Sequence, residues 1–293
     1  MSLAVTVVIP VYEQVTTLRL TLEFLRLQDV SAGTFEVVVV DDGSTTPVET
    51  QVVVEHYNYP LRILRQPTRG RAAARTSGVR AASGELILFC DGDRFPDAMW
   101  VSTHLRRHER ADRVAVVGTP WDCFLPSHRI EATPEGLTPV RRHSRVPEYL
   151  QVIRRAFDGA TQPSVAWAAF LVGNASARRD DVIAAGGFDE RLTTWGIEHF
   201  DLALRLAERG VTVALESASA NYHVPHARDR GRARAGVEAC VRILAPHAPR
   251  VLGLRAFLLG ELSLQEFEQG DGGLVGPDLA AAPPLYFRGL SGP

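Results

Sequence analysis

"LILFCDGDRFP", Leu86–Pro96, decides the fold. Five mostly apolar residues, Leu86 to Cys90, run into two carboxylates one residue apart, Asp91 and Asp93. An uninterrupted apolar run of that length predicts a strand buried on both faces. The two acids then stand at its tip. The same grammar recurs upstream. "AVTVVIPV", Ala4–Val11, is a β-branched run ended by Pro10, with Val11 and Tyr12 at its tip, and "TFEVVVVDDGS" runs from Phe35 to Val40 and closes on Asp41, Asp42 and a Gly43-Ser44 turn. Between these runs lie helical patterns. Leu18, Leu22 and Leu25 share one face, with Thr16 or Thr17 as the expected cap. "RGRAAARTSGVRAASG" is an Ala-rich helix stopped by Gly84, and residues 47–56 are also expected to be helical before a short strand, "LRILRQ".

The first hundred residues therefore alternate strand and helix. Right-handed crossovers turn that order into an α/β fold with a mostly parallel, Rossmann-like sheet flanked by helices. Ligands of such sheets lie outside the carboxyl ends of the strands, where these acids collect. Further on, 97–109 reads as a helix, "VAVVGTPW" as a strand, and Asp122 to about Pro147 as a long loop. "WAAFLVGNASARR" reads as a strand leaving at Gly173-Asn174, and "RDDVIAAGGFDERL" as a short helix closed by Gly186-Gly187. "GIEHFDLALRLAERG" is a helix stopped at Gly210, followed by the strand "VTVALE". "NYHVPHARDRGRARAG" is polar and basic, a helix is expected from about 237 to 262, and the Gly/Pro-rich end reads as a loose tail. Three parts follow: a nucleotide-binding α/β half over 1–120, a second half of the same domain over 121–230, and a C-terminal helix and tail over 231–293.

Composition removes several function classes. The 293 residues carry a net charge of −2, which gives no broad basic surface for nucleic acid. There is no Lys, so all 32 basic side chains counted with it are Arg, whose fixed charge and planar donors suit phosphates. Three widely spaced cysteines, Cys90, Cys123 and Cys240, form neither a disulfide framework nor a zinc knuckle. No stretch has the length and apolarity of a membrane span, and the N-terminus lacks a signal-peptide pattern, so a cytoplasmic protein is expected.

The chemistry follows from what joins the acids. Two histidines, His223 and His226, come in a later turn beside Arg228 and Arg230. Carboxylate oxygens suit Mg²⁺ or Mn²⁺, and imidazole suits Mn²⁺. Such a site commonly completes itself with substrate phosphates, which points to a diphosphate leaving group neutralised by a metal.

Five segments in order, "VTVVIPVYEQ", "VVVVDDGST", "RGRAAARTSGVRAASGELILFCDGD", "GNASARRDDVIAAGGFDE" and "WGIEHFDLALRLAERG", resemble the family 2 glycosyltransferases of the GT-A fold over roughly residues 3–230. The resemblance implies an inverting enzyme that moves a sugar from a UDP- or dTDP-type nucleotide-sugar donor to an acceptor hydroxyl or amine of a small molecule, glycan or peptide, with Mn²⁺ or Mg²⁺. It implies that Pro10 and Tyr12 border the base, and that Asp42, rather than Asp41, accepts from the base ring N–H. Arg71 and Arg75, one helical turn apart, face the nucleotide. Asp91 holds the ribose, Asp93 the metal, and His223 or His226 completes the protein's share of the ion. Relatives often carry Glu-Asp where this chain has Glu198-His199, so the resemblance implies Glu198 as the base that deprotonates the acceptor, with His199 second. Trp195 and Asp201 fall on the acceptor side. The Gln-x-x-Arg-Trp motif of membrane-bound polymer synthases is not found, which implies a single addition. Two other readings stay open: a sugar nucleotidyltransferase and a non-catalytic nucleotide-sugar binder.

Overall fold

The computed structural model describes residues 4–155, 166–193 and 198–224, and a few positions between 238 and 266. In chain order the elements are β1 (Val5–Val11), α1 (Val15–Leu25), β2 (Phe35–Asp41), β3 (Leu61–Arg65), α2 (Arg71–Ala81), β4 (Leu86–Phe89), β5 (Arg94–Pro96) and α3 (Trp100–Glu109). The second half adds β6 (Val114–Cys123), α4 (Leu137–Arg142), β7 (Ser144–Arg145), α5 (Glu148–Arg155), β8 (Ala175–Arg178), α6 (Arg179–Ala184), α7 (Glu198–Glu208) and β9 (Thr212–His223).

The strands form one sheet in the order β3-β2-β1-β4-β8-β6-β9-β5, with β7 paired to β6. The β3-β2-β1-β4 end is parallel, as the alternating order requires. Both faces of β1 and β2 are buried, and strand alternation sends their side chains to two cores. Val7, Ile9, Val37 and Val39 pack with Leu18, Leu22 and Leu25 of α1 and Trp100 of α3. Val8 points the other way, under α2. The helix comes so close there that a Cβ on Gly78 would lie 2.4 Å from Val8 Cγ1, which is why the Ala-rich face needs a glycine.

The rest of the sheet is mixed. β8 is antiparallel to both β4 and β6, β9 is parallel to β6 with an irregularity between Val117 and Thr119, and β5 is antiparallel to the far end of β9. That last pairing positions the site. It sets Arg94 opposite His223, while the β6–β9 ladder sets Asp122 opposite the same histidine.

Several local expectations are corrected. Residues 47–56 hold two single 3₁₀ turns, Val48–Thr50 and Val54–His56, rather than a helix. The start of α1 has no side-chain cap; Thr17 Oγ1 donates to the Gln14 carbonyl instead. The 122–147 stretch is not a loose loop: Leu125, Ile130, Leu137 and Val140 bury themselves against Phe24, Phe95 and Tyr222. The strand expected from Trp167 and leaving at Gly173-Asn174 instead begins after Asn174; Ala166–Ala169 is a 3₁₀ turn packed in the core. β9 runs on through Asn221–His223, beyond the strand expected over "VTVALE", Val211–Glu216. The basic stretch after 224, most of the helix expected over 237–262 and the tail lie outside the described residues.

Candidate active site

At the carboxyl ends of β1, β2 and β4 opens a cavity of about 380 Å³. Pro10, Val11 and Tyr12 wall it from β1, Asp42 from β2, and Asp91, Gly92 and Asp93 from β4. Thr68, Gly70 and Arg71 close it from the entry to α2, Thr193 from the segment after α6, and His223 from the end of β9. Six of the eight expected donor-binding residues thus share one wall system; Asp41 and Arg75 do not line it.

Each of those two has another task. Asp41 is fully buried, where it accepts from the Ser44 and Val48 amides at 2.8 and 3.2 Å and from Arg65 at 3.0 Å, holding the turn after β2. Arg75 is 2% exposed and bridges two acids, donating to Glu198 at 2.7 Å and to Asp91 at 2.8 Å. Arg94 Nε meets the other oxygen of Asp91 at 3.2 Å. Burial opposes charge on Asp91, but the guanidiniums of Arg75 and Arg94 outweigh it and hold the carboxyl far below its ordinary range.

Asp42 is the anchor of the α2 entry. Its carboxylate accepts from Gln66 Nε2 at 2.8 Å, the Arg69 amide at 3.0 Å and the Gly70 amide at 2.8 Å. Gly70 caps α2 with φ +90°, a conformation that excludes most side chains, and a Cβ there would press on the Thr193 backbone at 3.0–3.1 Å. Tyr12 is 51% exposed at the rim, an aromatic face open to a planar ligand.

The expected base pair sits at the first turn of α7, deep behind the cavity wall. Burial would raise Glu198, yet Arg75 overrides it and lowers its pKa. His199 is also buried; desolvation pushes its pKa down to about 4, against the pull of Glu198, and its ring lies in the fields of Arg75, Asp91 and Arg71. Asp201 is paired to Arg205, whose Nη2 also donates to the Gly187 carbonyl at 2.8 Å, so it braces the turn after α6. Trp195 and His226 lie outside the described residues.

His223 and Asp93 do meet: Nε2 lies 3.6 Å from Asp93 Oδ2. On the other side of the ring, Nδ1 lies 3.0 Å from Asp122 Oδ1. Burial opposes charge on Asp93, but its contact with His223 outweighs this and lowers its pKa. A carboxylate oxygen and an imidazole nitrogen facing each other at the cavity wall suit Mg²⁺ or, better, Mn²⁺. No group of three or more metal-ligating side chains converges among the described residues. The protein's share would then be two ligands, with phosphate oxygens and water completing the shell. Asp122 was missed in the sequence because the strand was expected to stop at Trp121. The available signal was that "TPWDC" is one more apolar strand ending in an acid.

A family model described as Glycosyl transferase family 2 matches residues 6–168, and one described as N-terminal domain of galactosyltransferase matches 156–227. The chain is 32% identical over 274 residues to the validoxylamine A glucosyltransferase of Streptomyces hygroscopicus subsp. jinggangensis, covering 87% of this chain and 62% of that one. Across three curated relatives it spans 58% to 64% of their length. Among solved structures it is similar to S. aureus TarS 1-349 in complex with UDP-GlcNAc, with TM-score 0.63 and 16% identity over 90% of this chain and 77% of that one. It is also similar to the mannosyltransferase PcManGT from Pyrobaculum calidifontis in complex with GDP-Man and Mn²⁺, with TM-score 0.57 and 19% identity over 83% of this chain and 65% of that one. These likenesses place the sheet and its helices in the GT-A fold. Among the described residues no helix is long and apolar enough to cross a membrane.

Proposed function

Because the chain belongs to glycosyl transferase family 2, we propose that it moves a sugar from a UDP- or dTDP-type donor to an acceptor hydroxyl or amine, by one inverting displacement. The observation that carries this reading is the gathering of Asp42, Asp91, Asp93 and His223, from the ends of separate strands, around a single cavity.

Each wall has a share. Tyr12 offers a stacking face for the base, and the remaining lone pair on Asp42 accepts from a ring N–H, a feature of uracil and thymine. Asp91, oriented by Arg75 and Arg94, accepts from ribose hydroxyls. Arg71, on the cavity wall, would pair with the diphosphate. Asp93 and His223, 3.6 Å apart, would hold the divalent ion. When bound, a Mn²⁺ or Mg²⁺ ion supplies Lewis-acid neutralisation of the departing diphosphate. The Mn²⁺ that accompanies GDP-Man in the Pyrobaculum neighbour supports this assignment.

The base is His199. Glu198 is spent on Arg75: a carboxylate gripped by a buried guanidinium and held below its ordinary pKa is a poor proton acceptor. His199, with its pKa pushed down by burial to about 4, is neutral near pH 7 and so able to take up a proton. The acceptor oxygen or nitrogen attacks the anomeric carbon from the face opposite the diphosphate, the carbon–diphosphate bond breaks, and the acceptor's proton passes to the imidazole. Glu198 beside it stabilises the imidazolium that forms.

The test is product release. UDP or dTDP set free from the matching sugar nucleotide with Mn²⁺, and lost in Asp93→Ala, is the expected result. Pyrophosphate released from a nucleoside triphosphate would identify a nucleotidyltransferase. Binding without turnover would identify a non-catalytic binder.

A further inference from the structure

The end of β6 carries a buried carboxylate that glycosyl transfer as described leaves unused. Asp122 stands directly opposite His223 in the β6–β9 ladder, and Arg94, next to Asp93, stands opposite the same histidine in the β5–β9 ladder. Two strands therefore bring two acids to one imidazole from its two nitrogens: Asp122 Oδ1 at 3.0 Å from Nδ1, Asp93 Oδ2 at 3.6 Å from Nε2. All three side chains are buried, but only His223 and Asp93 reach the cavity wall.

We propose that Asp122 is a positioning residue that makes His223 a cation ligand. This rests on the metal role proposed above. An ionised carboxylate can only accept, so the ring nitrogen facing Asp122 must carry a hydrogen. An ion displacing the proton that Nε2 otherwise shares with Asp93 would then meet the lone pair on Nε2, the nitrogen turned to Asp93 and the cavity. The same contact fixes the ring plane and raises the basicity of the ligating nitrogen, as carboxylates behind metal-bound histidines do. Arg94 stands near Asp91, Asp93 and Asp122 and offsets their crowded charge. The ladder register makes the arrangement rigid: moving Asp122 one residue along β6 would turn it to the opposite face of the sheet.

The experiment is a Mn²⁺ titration followed by electron paramagnetic resonance, with UDP present, on the wild type, Asp122→Asn and Asp122→Ala. Asn keeps the volume, so at least one variant retains the fold, which a melting curve verifies. Removing such a support is expected to weaken Mn²⁺ binding about 10–100-fold. With a turned-over donor, the Mn²⁺ concentration for half-maximal rate rises by the same factor, while kcat at saturating ion stays within a few-fold of wild type. A structural role alone would not divide the effect in that way. At alkaline pH, ¹⁵N spectra are expected to show the Nδ1–H tautomer of His223 in the wild type and a mixture in Asp122→Ala. Unchanged Mn²⁺ affinity in both folded variants overturns the positioning role and leaves the metal role standing. A wild-type protein that takes up no Mn²⁺ with UDP overturns both.

Discussion

Arg75 joins residues that are 16 and 123 positions away in the chain. From the sequence it is one arginine on an exposed-looking Ala-rich helix, and a nucleotide contact is the natural expectation. Its real surroundings depend on α7 docking behind α2, which no local pattern encodes. The acids at the tips of β2 and β4 are different: each is announced by the apolar run before it. Two predictions belong at this scale. Arg75→Met leaves the buried Glu198 without its cation and Asp91 with Arg94 alone, and is expected to cost about 3–5 kcal/mol, read as a lowered midpoint in urea. His199→Ala is expected to lower kcat about 10²–10⁴-fold, while Glu198→Gln, which still accepts from Arg75, stays within about tenfold of wild type. The reverse order in single-turnover rates would return the base to Glu198.

At the scale of elements, α3 is held to the sheet by a chain of polar groups sealed from water. Asn174 Oδ1 accepts from Trp100 Nε1 at 2.8 Å and faces His104 Nε2 at 3.0 Å, while Ser176 Oγ lies 2.8 Å from both His104 Nδ1 and His108 Nε2. Since Asn174 Oδ1 only accepts, His104 carries its proton on Nε2, Ser176 donates to His104 Nδ1, and His108 donates to Ser176. Burial pushes the pKa of His104 down to about 4 and, with help from His104, that of His108 down to about 3. Both folded values lie below the unfolded one near 6.5, so the unfolded chain binds more protons between them. The stability these rings confer is complete above about pH 6.5 and is lost as pH falls toward 4. The melting temperature is expected to drop over that interval, and His108→Gln to flatten the drop. Elements with strong periodicity, such as β1, β2 and α7, are legible in the chain. β8 and the 122–147 stretch are not, because short irregular segments take their form from the core that receives them.

For the whole molecule, the alternation of the first hundred residues is enough to foresee a parallel sheet, since chirality and connection length leave few ways to close it. The mixed half escapes that logic: β8 enters antiparallel between β4 and β6, and β5 sits at an edge far from β4 in the sheet although only Cys90 to Asp93 separate them in the chain. A nucleotide that bridges those parts binds the native state alone. UDP with Mn²⁺ at about 100 times its dissociation constant is expected to add about 2.7 kcal/mol to the unfolding free energy. A thermal melt without that rise would count against the donor site.

β9 has a particular place in that coupling. It lies between β6 and β5 in the sheet, and its last residue is the imidazole facing Asp93. Peptide amides along 212–223 should therefore exchange with deuterium more slowly once nucleotide and ion are added, although the strand lends the ligand a single side chain. For the same reason, a chain cut between α3 and β6 would leave Asp93 on one fragment and His223 on the other. The two fragments would be expected to reassemble more tightly around the nucleotide than without it, so that the substrate serves as a clasp between pieces of its own enzyme.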